Sequence, residues 1–396
     1  MEKICKGKLI YCGSEGVSII QIIRGLSKRM NGLPTWEQLE GREVLPTFLG
    51  RVAVRQLCEI WQLKSGDEIL MPAYNCGTEI DPFLLHGCKI VFYRVDKSAR
   101  IDVEDIMRRR TPHTKVVYVT HYFGWSQDLR DLLQWCRKEH LRIVEDCAVA
   151  LFSSGPDGPL GLQGDAAIFS LGKFIPLPAA GLLTFQRDPT LKIPVLREGA
   201  QSEMVKRTLH LLQIDLQRQS EKVGLYSFLR KIKMHVSNRQ VAEQGRVGLP
   251  DMLQDYYFDM SFKNVGIPRL SLGLLRAIDP SRVTRQRRKN YLQLEKVVNQ
   301  FRDLVPLFAN LQEGVCPLVF PIIVKDRAAW VRALHRLGIG AYSWWEGYHR
   351  ECSWEAFAEA RYLKDHLLCL PVNQGLGERQ MAFIGQAVTA LRSELC

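Results

Sequence analysis

The stretch from Leu141 to Phe185 constrains the fold more than any other part of the chain. It opens with a short apolar run, Leu141 to Val144, of the kind that forms a buried parallel strand, and an acidic pair ending in Asp146 follows. A second strand-like run, Ala166 to Leu171, is followed by a glycine and Lys173. Open α/β sheets bind ligands at the carboxyl ends of their strands. We therefore expect Asp146 and Lys173 to lie at one ligand-binding edge.

The surroundings of Lys173 favour a reactive amine. The five residues after it are Phe, Ile, Pro, Leu and Pro, and such an apolar setting disfavours the ammonium form through desolvation. Pyridoxal phosphate chemistry needs a lysine to hold the aldehyde as a Schiff base, and a carboxylate such as Asp146 to keep the pyridine nitrogen protonated. Each residue also has an ordinary alternative, because aspartates at strand ends often cap helices and most lysines are solvated.

Several separated motifs in this region resemble one enzyme family. VEDCA, GDAAIFSLGK and AGLLTF, in this order, look like the DegT/DnrJ/EryC1/StrS family of sugar aminotransferases. The resemblance implies that Asp146 pairs with the pyridine nitrogen and that Lys173 is the Schiff-base lysine. It also implies that Ser170 lies near the cofactor phosphate.

A glycine opens the first amphipathic helical pattern, which covers Val52 to Leu63. Backbone N–H groups at such a helix start can face a phosphate, although a plain helix cap is the alternative. The family usually has Ser-Gly-Thr here, where this chain has Leu49-Gly50-Arg51. The resemblance therefore places the cofactor phosphate at Gly50, with Arg51 supplying the charge in place of a hydroxyl group.

Two further positions depart from the family pattern. An aromatic or similar residue normally stacks on the pyridine ring after the strand that ends at Pro72, and counting from there places Cys76 at that position. Tyr74 is the alternative stacking residue, although burial in the core is equally compatible with its side chain. Val149 stands where the family commonly has Gln or His near the cofactor hydroxyl, and valine cannot donate a hydrogen bond.

His121 begins a segment, His-Tyr-Phe-Gly, that is close to the family's His-x-Tyr/Phe-Gly. A hydrogen-bonded structural histidine is the alternative to a role in the site.

The alternation of strand-like and helical patterns from residue 69 to residue 146 favours a parallel, doubly wound sheet. With the resemblance, we predict an α/β fold, that of a fold type I PLP-dependent transferase. It would have a mostly parallel large domain over residues 41–260, with a helical insertion at about 186–258. A smaller C-terminal α+β domain would cover residues 261–396, and residues 1–40 stay unassigned.

Composition narrows the partners and the compartment. The net charge of +12 favours acidic partners, and no nucleic-acid motif accompanies it, so we expect acidic small molecules. The basic run from Met204 to Met234 is either a solvated helix face or a platform for an anionic substrate or membrane surface, and nothing else in the sequence supports membrane contact. Eleven cysteines without a CxxC pair predict reduced thiols in a cytoplasmic protein and no metal site. We see neither a signal peptide nor a membrane-spanning run.

The resemblance predicts an aminotransferase that acts as a homodimer. Its amino donor would be glutamate, and its acceptor a nucleotide-linked keto sugar in polysaccharide or natural-product biosynthesis. One alternative is a PLP-dependent sugar dehydratase, but those relatives carry histidine where this chain has Lys173. Another is a non-catalytic relative with a regulatory or scaffold role, an idea motivated by the departures at Arg51, Cys76 and Val149.

Overall fold

The computed structural model describes residues 9–27, 32–226, 258–345 and 348–395. Its main element is a seven-stranded sheet in the order β1-β9-β8-β5-β4-β2-β3. In chain order, the strands of the first part of the chain are β1 (Arg42–Thr47), β2 (Glu68–Pro72), β3 (Lys89–Tyr93), β4 (Thr114–Thr120), β5 (Arg142–Asp146), the short β6 (Ser154–Gly155) and β7 (Gly158–Pro159), β8 (Ala166–Ser170) and β9 (Gly181–Gln186). The two short strands form a separate hairpin.

The sheet is parallel from β3 through β2, β4 and β5 to β8, and only β9 runs against its neighbours. Its central strands are apolar and buried along nearly their whole length, as strands covered on both faces must be. Thr120 on β4 aligns with Asp146 on β5, which aligns with Ile168 on β8. The carboxyl ends of these strands therefore meet at one edge, as the sequence predicts.

Helices connect and flank these strands. They are α1 (Ile19–Ser27), α2 (Gly50–Ile60), α3 (Asp81–Leu84), α4 (Val103–Arg109), α5 (Arg130–Lys138) and α6 (Gln201–Lys222). The amphipathic pattern predicted from Val52 corresponds to α2, which begins two residues earlier, at Gly50.

The C-terminal part contains a second, antiparallel sheet. Its strands are β10 (Val305–Pro306), β11 (Val319–Ile323), β12 (Tyr342–Ser343) and β13 (Leu367–Pro371), in the order β10-β11-β13-β12. Its helices are α7 (Arg269–Leu275), α8 (Pro280–Val298), α9 (Arg327–Arg336), α10 (Ala358–His366) and α11 (Glu378–Leu395). A large, mostly parallel sheet and a smaller α+β unit are the predicted fold class, whereas the predicted domain boundaries stay predictions.

The predicted helical insertion is represented by α6, a helix of 22 residues. Arg230, Lys231 and Lys233, which belong to the predicted basic run, lie outside the described residues. Within the described part of the chain, no helix combines the length and the apolar character needed to cross a bilayer.

Candidate cofactor site

Asp146 is the last residue of β5 and is 6% exposed. One of its carboxylate oxygens accepts a hydrogen bond from the backbone N–H of Ala148 at 2.8 Å. Burial raises the pKa of Asp146, and the nearby positive charge of Lys173 acts in the opposite direction. The structure thus places a buried carboxylate and a lysine within electrostatic reach of each other at the ligand edge of the sheet.

Lys173 lies three residues beyond the end of β8, at the end of a single 3₁₀ turn, Leu171–Lys173. Its side chain is half-buried, and its amine nitrogen is 5.8 Å from the centre of the Trp344 ring. Both residues line a cavity of about 310 Å³. A substrate-sized molecule in this cavity would therefore be within reach of the lysine amine.

The start of α2 adjoins the end of β8. A Cβ atom built on Gly50 would lie 3.5 Å from the carbonyl oxygen of Phe169 and 3.5 Å from the Cβ of Ser170. Leu49, the residue that precedes the helix, makes no side-chain capping bond. Since the first N–H groups of a helix favour an anion, Gly50 and Ser170 together suit a phosphate.

Arg51 adds positive charge at the same place. Burial lowers the pKa of Arg51, and Arg207 on α6 lowers it further, while Cys76 and the carboxylates of Asp81 and Glu79 act in the opposite direction. Two arginines from different parts of the chain thus approach the α2 start. The role of Arg51 toward the phosphate, which the resemblance implies, stays a prediction.

Tyr74 lies in the core. Its side chain is fully buried, and its ring centre is 5.2 Å from that of Tyr122 and 5.1 Å from that of Trp345. Its hydroxyl donates a hydrogen bond to the backbone carbonyl of Trp344 at 2.5 Å. This geometry favours the core alternative for Tyr74 over the stacking role.

Cys76 lies closer to the charged groups. Its backbone N–H donates to the carboxylate of Glu79 at 2.9 Å, and its sulfur is 3.4 Å from the hydroxyl of Thr78. Burial raises the pKa of the Cys76 thiol, Glu79 raises it further, and Lys173 acts in the opposite direction. The structure therefore brings Cys76, but not the ring face of Tyr74, together with Lys173.

His121 has the structural role that the sequence analysis gives as its alternative. Its Nδ1 accepts a hydrogen bond from the backbone N–H of Gln127 at 3.0 Å, so Nε2 carries the proton and donates to Glu145 at 2.9 Å. Cys147 offers a thiol close by, and the ligand atoms of all three side chains lie within 4.8 Å of one another. Hydrogen bonds already occupy both ring nitrogens of His121, so this cluster is a structural network rather than a metal centre.

Two residues near Lys173 were not singled out by the sequence analysis. Glu79 is 8% exposed, and burial followed by the charge of Asp146 raises its pKa. The indole nitrogen of Trp344 is buried without a hydrogen-bond acceptor among the described residues. The position of Glu79, in the loop that follows the carboxyl end of β2, could have identified it as a candidate site residue. No local sequence feature distinguishes Trp344 from Trp345.

These residues fit pyridoxal phosphate. Asp146 offers a buried carboxylate for the ring nitrogen, and Lys173 offers an amine for the aldehyde carbon. The uncapped start of α2, with Arg51 and Ser170, suits the phosphate. The Trp344 ring lies beside the Lys173 amine in the same cavity.

A family model matches residues 49–210, and it is that of the DegT/DnrJ/EryC1/StrS aminotransferase family. This part of the chain is therefore similar to that family. The matched segment contains every residue that the sequence analysis assigns to the cofactor.

Curated proteins also match part of the chain. GDP-perosamine synthase from Vibrio cholerae is 28% identical over 122 residues, which are 31% of this chain and 33% of that protein. The dTDP-4-dehydro-2,3,6-trideoxy-D-glucose 4-aminotransferase from Saccharopolyspora spinosa is 28% identical over 144 residues, or 36% and 37% of the two chains. The chain thus spans about a third of the length of these relatives.

Solved structures resemble the whole chain. The aminotransferase TlmJ from Streptoalloteichus hindustanus has a TM-score of 0.65 and 18% identity, covering 96% of this chain and 97% of that one. The putative sugar aminotransferase Spr1654 from Streptococcus pneumoniae, in its PLP form, has a TM-score of 0.68 and 14% identity, covering 98% and 100%. The predicted fold class is confirmed over nearly the full length.

Proposed function

We propose that this protein is a PLP-dependent aminotransferase that moves an amino group, from glutamate, to a nucleotide-linked keto sugar in polysaccharide or natural-product biosynthesis. The observation that carries the proposal is the placement of Asp146 and Lys173 at neighbouring strand ends, where the charge of one acts on the other. Sugar aminotransferases among the relatives support the acceptor class. The net charge of +12 suits an acceptor that carries phosphates.

Each residue of the site has a distinct task in this proposal. When bound, pyridoxal phosphate supplies an electron sink for the carbon that loses its proton. The amine of Lys173 holds the aldehyde carbon and, once released, takes and returns the proton as general base. The carboxylate of Asp146 keeps a proton on the ring nitrogen. The start of α2, together with Gly50, Arg51 and Ser170, binds the phosphate and fixes the orientation of the ring.

We propose a homodimer in the cytoplasm. Four large apolar side chains of α1, at positions 19, 20, 23 and 26, are 58–64% exposed, and a contiguous apolar surface of this kind is typical of an interface. The nine described cysteines that are free support a reducing compartment.

The visible absorption spectrum of the purified protein tests the function. The covalent linkage of Lys173 to pyridoxal phosphate should give an absorption band, which glutamate should bleach. Lys173→Ala should lack the band and have no measurable transaminase activity. Lys89→Ala is the matched control, because Lys89 is an exposed lysine at the amino end of β3, the opposite edge of the sheet; it should behave as wild type.

Other outcomes have equally clear meanings. An active Lys173→Ala enzyme would contradict the assignment of the lysine. A band that glutamate leaves unchanged would point to another amino donor or to the dehydratase alternative. Absence of any band after addition of pyridoxal phosphate would favour the non-catalytic alternative with a regulatory or scaffold role.

A further inference from the structure

The backbone carbonyl that follows Lys173 is held from the C-terminal part of the chain. The oxygen of Phe174 accepts a hydrogen bond from the side-chain amide of Gln374 at 2.8 Å. It also lies 3.3 Å from a guanidinium nitrogen of Arg287, which donates to it. The turn that carries the lysine is thus bound at its end by Arg287 on α8 and by Gln374 in the loop between β13 and α11.

Arg287 and Gln374 also bind each other. The Nε–H of Arg287 donates to the amide oxygen of Gln374 at 2.7 Å, and the guanidinium lies 4.8 Å from the centre of the Phe174 ring. Phe174, Arg287 and Gln374 therefore form a closed three-residue cluster, here called the Phe174 clamp.

The Phe174 clamp is firmly anchored. Arg287 is 2% exposed, and its Nη1 donates to the carbonyls of Pro317 and Leu318 at 3.2 and 2.9 Å. Asn290, on the same face of α8, donates to the carbonyls of three residues in the turn that carries Gln374. All three nitrogens of the guanidinium donate to protein oxygens, and a buried charge of this kind is costly unless such bonds compensate it. The clamp consequently has little freedom to shift relative to α8.

The lysine turn has little internal support of its own. It is a single 3₁₀ turn, in which the N–H groups of Phe174 and Ile175 both go to the carbonyl of Leu171. Short 3₁₀ turns have poorer hydrogen-bond geometry than α-helices, so external contacts matter more for their position. The Phe174 clamp supplies such contacts one residue from Lys173.

We propose that Arg287 and Gln374 are positioning residues, which fix the turn so that the Lys173 amine points into the cavity at a constant place. This inference rests on the proposed role of Lys173. Arg287 lines the same cavity, so a direct contact with substrate is the competing role for it. The two roles differ in their kinetic effect: loss of positioning lowers kcat and slows the formation of the lysine linkage, whereas loss of a substrate contact raises KM.

The test uses the full chain with Arg287→Met and Gln374→Met. Methionine is unbranched and apolar, and it removes the donors to Phe174. Gln374 is partly exposed, so Gln374→Met decides the question if Arg287→Met does not fold. Arg288→Met is the matched control, because Arg288 is the next residue on α8 and donates to the carbonyls of Gln312 and Val315 instead of Phe174.

Two quantities are measured after thermal melting shows that each variant folds. The first is the rate at which added pyridoxal phosphate becomes linked to Lys173, followed by absorbance and confirmed by borohydride trapping and peptide mass analysis. The second is the pair kcat and KM. We expect kcat to fall about 100-fold in the clamp variants, the cost of a misplacement of about 1 Å, with slower linkage and little change in KM. Arg288→Met should match wild type.

The outcomes separate this inference from the proposed function. If Gln374→Met matches Arg288→Met in linkage rate and kcat, the positioning role is overturned. It is also overturned if the clamp variants show only a raised KM. A wild-type protein that forms no linkage at Lys173 overturns the proposed function and the inference with it.

Discussion

Burial of Asp146 has opposite consequences for folding and for catalysis. The raised pKa means that the folded protein holds the charged carboxylate less favourably than the unfolded chain does. Stability from this residue is therefore lost as the pH rises from the unfolded pKa, about 3.9, through the raised folded value. A bound cofactor with a protonated ring nitrogen would pair with the carboxylate and so offset the free-energy cost of burying its charge.

The first prediction concerns Asp146→Asn. The cofactor-free variant should be more stable than wild type at pH 8, because it removes a charge that burial destabilises. The difference should shrink below about pH 4, where the wild-type carboxyl group is protonated in both states. Turnover should fall by about 100-fold or more, because a neutral amide cannot keep the ring nitrogen protonated as a carboxylate does. Urea unfolding at several pH values and steady-state kinetics check both parts.

Asp128→Asn is a suitable control for that stability measurement. Asp128 is exposed, and hydrogen bonding to Arg130 lowers its pKa to about 2, so its contribution has the opposite sign. The Asn variant at this position should not gain stability at pH 8. If the Asp146→Asn protein is less stable than wild type at pH 8, the buried charge of Asp146 does not destabilise the folded protein.

At the scale of elements, neighbouring carboxylates at the end of β5 have different functions. Glu145 accepts hydrogen bonds from His121 on one side and from the backbone N–H groups of Gly161, Gln163 and Gly164 on the other. It therefore joins the end of β4 to the loop that precedes β8. Burial acts to raise the pKa of Glu145, but His121 and the backbone donors outweigh it, so the pKa is lowered. This residue supports the strand end on which Asp146 is presented.

Glu145→Gln should destabilise the protein by about 3 kcal/mol at pH 7, because an amide cannot accept all four hydrogen bonds and would place an N–H group against other donors. A lowered pKa gives stability that is present above the unfolded value, about 4.3, and lost as the pH falls through the folded value. The difference between variant and wild type should therefore diminish in acid. Urea unfolding measures it.

Glu43→Gln provides the comparison for Glu145→Gln. The side chain of Glu43 is 39% exposed and lies 3.3 Å from Arg187, and an exposed pair of this kind contributes at most about 1 kcal/mol. Equal losses in the two variants would show that the Glu145 network does not support the strand end.

At the scale of the whole molecule, the cavity beside Lys173 is assembled from distant parts of the chain. It is lined by Glu15 from the N-terminal part, Arg287 from α8 and Trp344, the residue after β12. The carboxylate of Glu15 also accepts a hydrogen bond from Gln374, a residue of the Phe174 clamp. The site therefore depends on the docking of both sheets.

The proposed homodimer is tested at this scale. Light scattering should give twice the mass of one chain. If the second subunit completes the site, specific activity should fall on dilution below the dissociation constant and recover on concentration. A monomer with full, dilution-independent activity would contradict the proposal.

How much the sequence reveals depends on how local the deciding interaction is. The strands of the main sheet, Asp146 and Lys173 were predictable because a buried apolar run and the residue at its end are adjacent in the chain. The sequence does not decide between the core and stacking roles of Tyr74, since its burial depends on Tyr122 and Trp345, which are remote in sequence.

The sequence by itself determined the fold class and the placement of Asp146 and Lys173 at one edge of the main sheet. The roles of these two residues and of the α2 start stay predictions. Only the tertiary structure decided that Arg287 belongs to this site. Its position four residues after the buried Val283 places it on the inward face of α8, but the carbonyl it would bind was not identifiable from the helix pattern. A hydrogen bond between residues 174 and 287 exists only when the two sheets pack, because backbone carbonyls carry no residue-specific signal in the sequence.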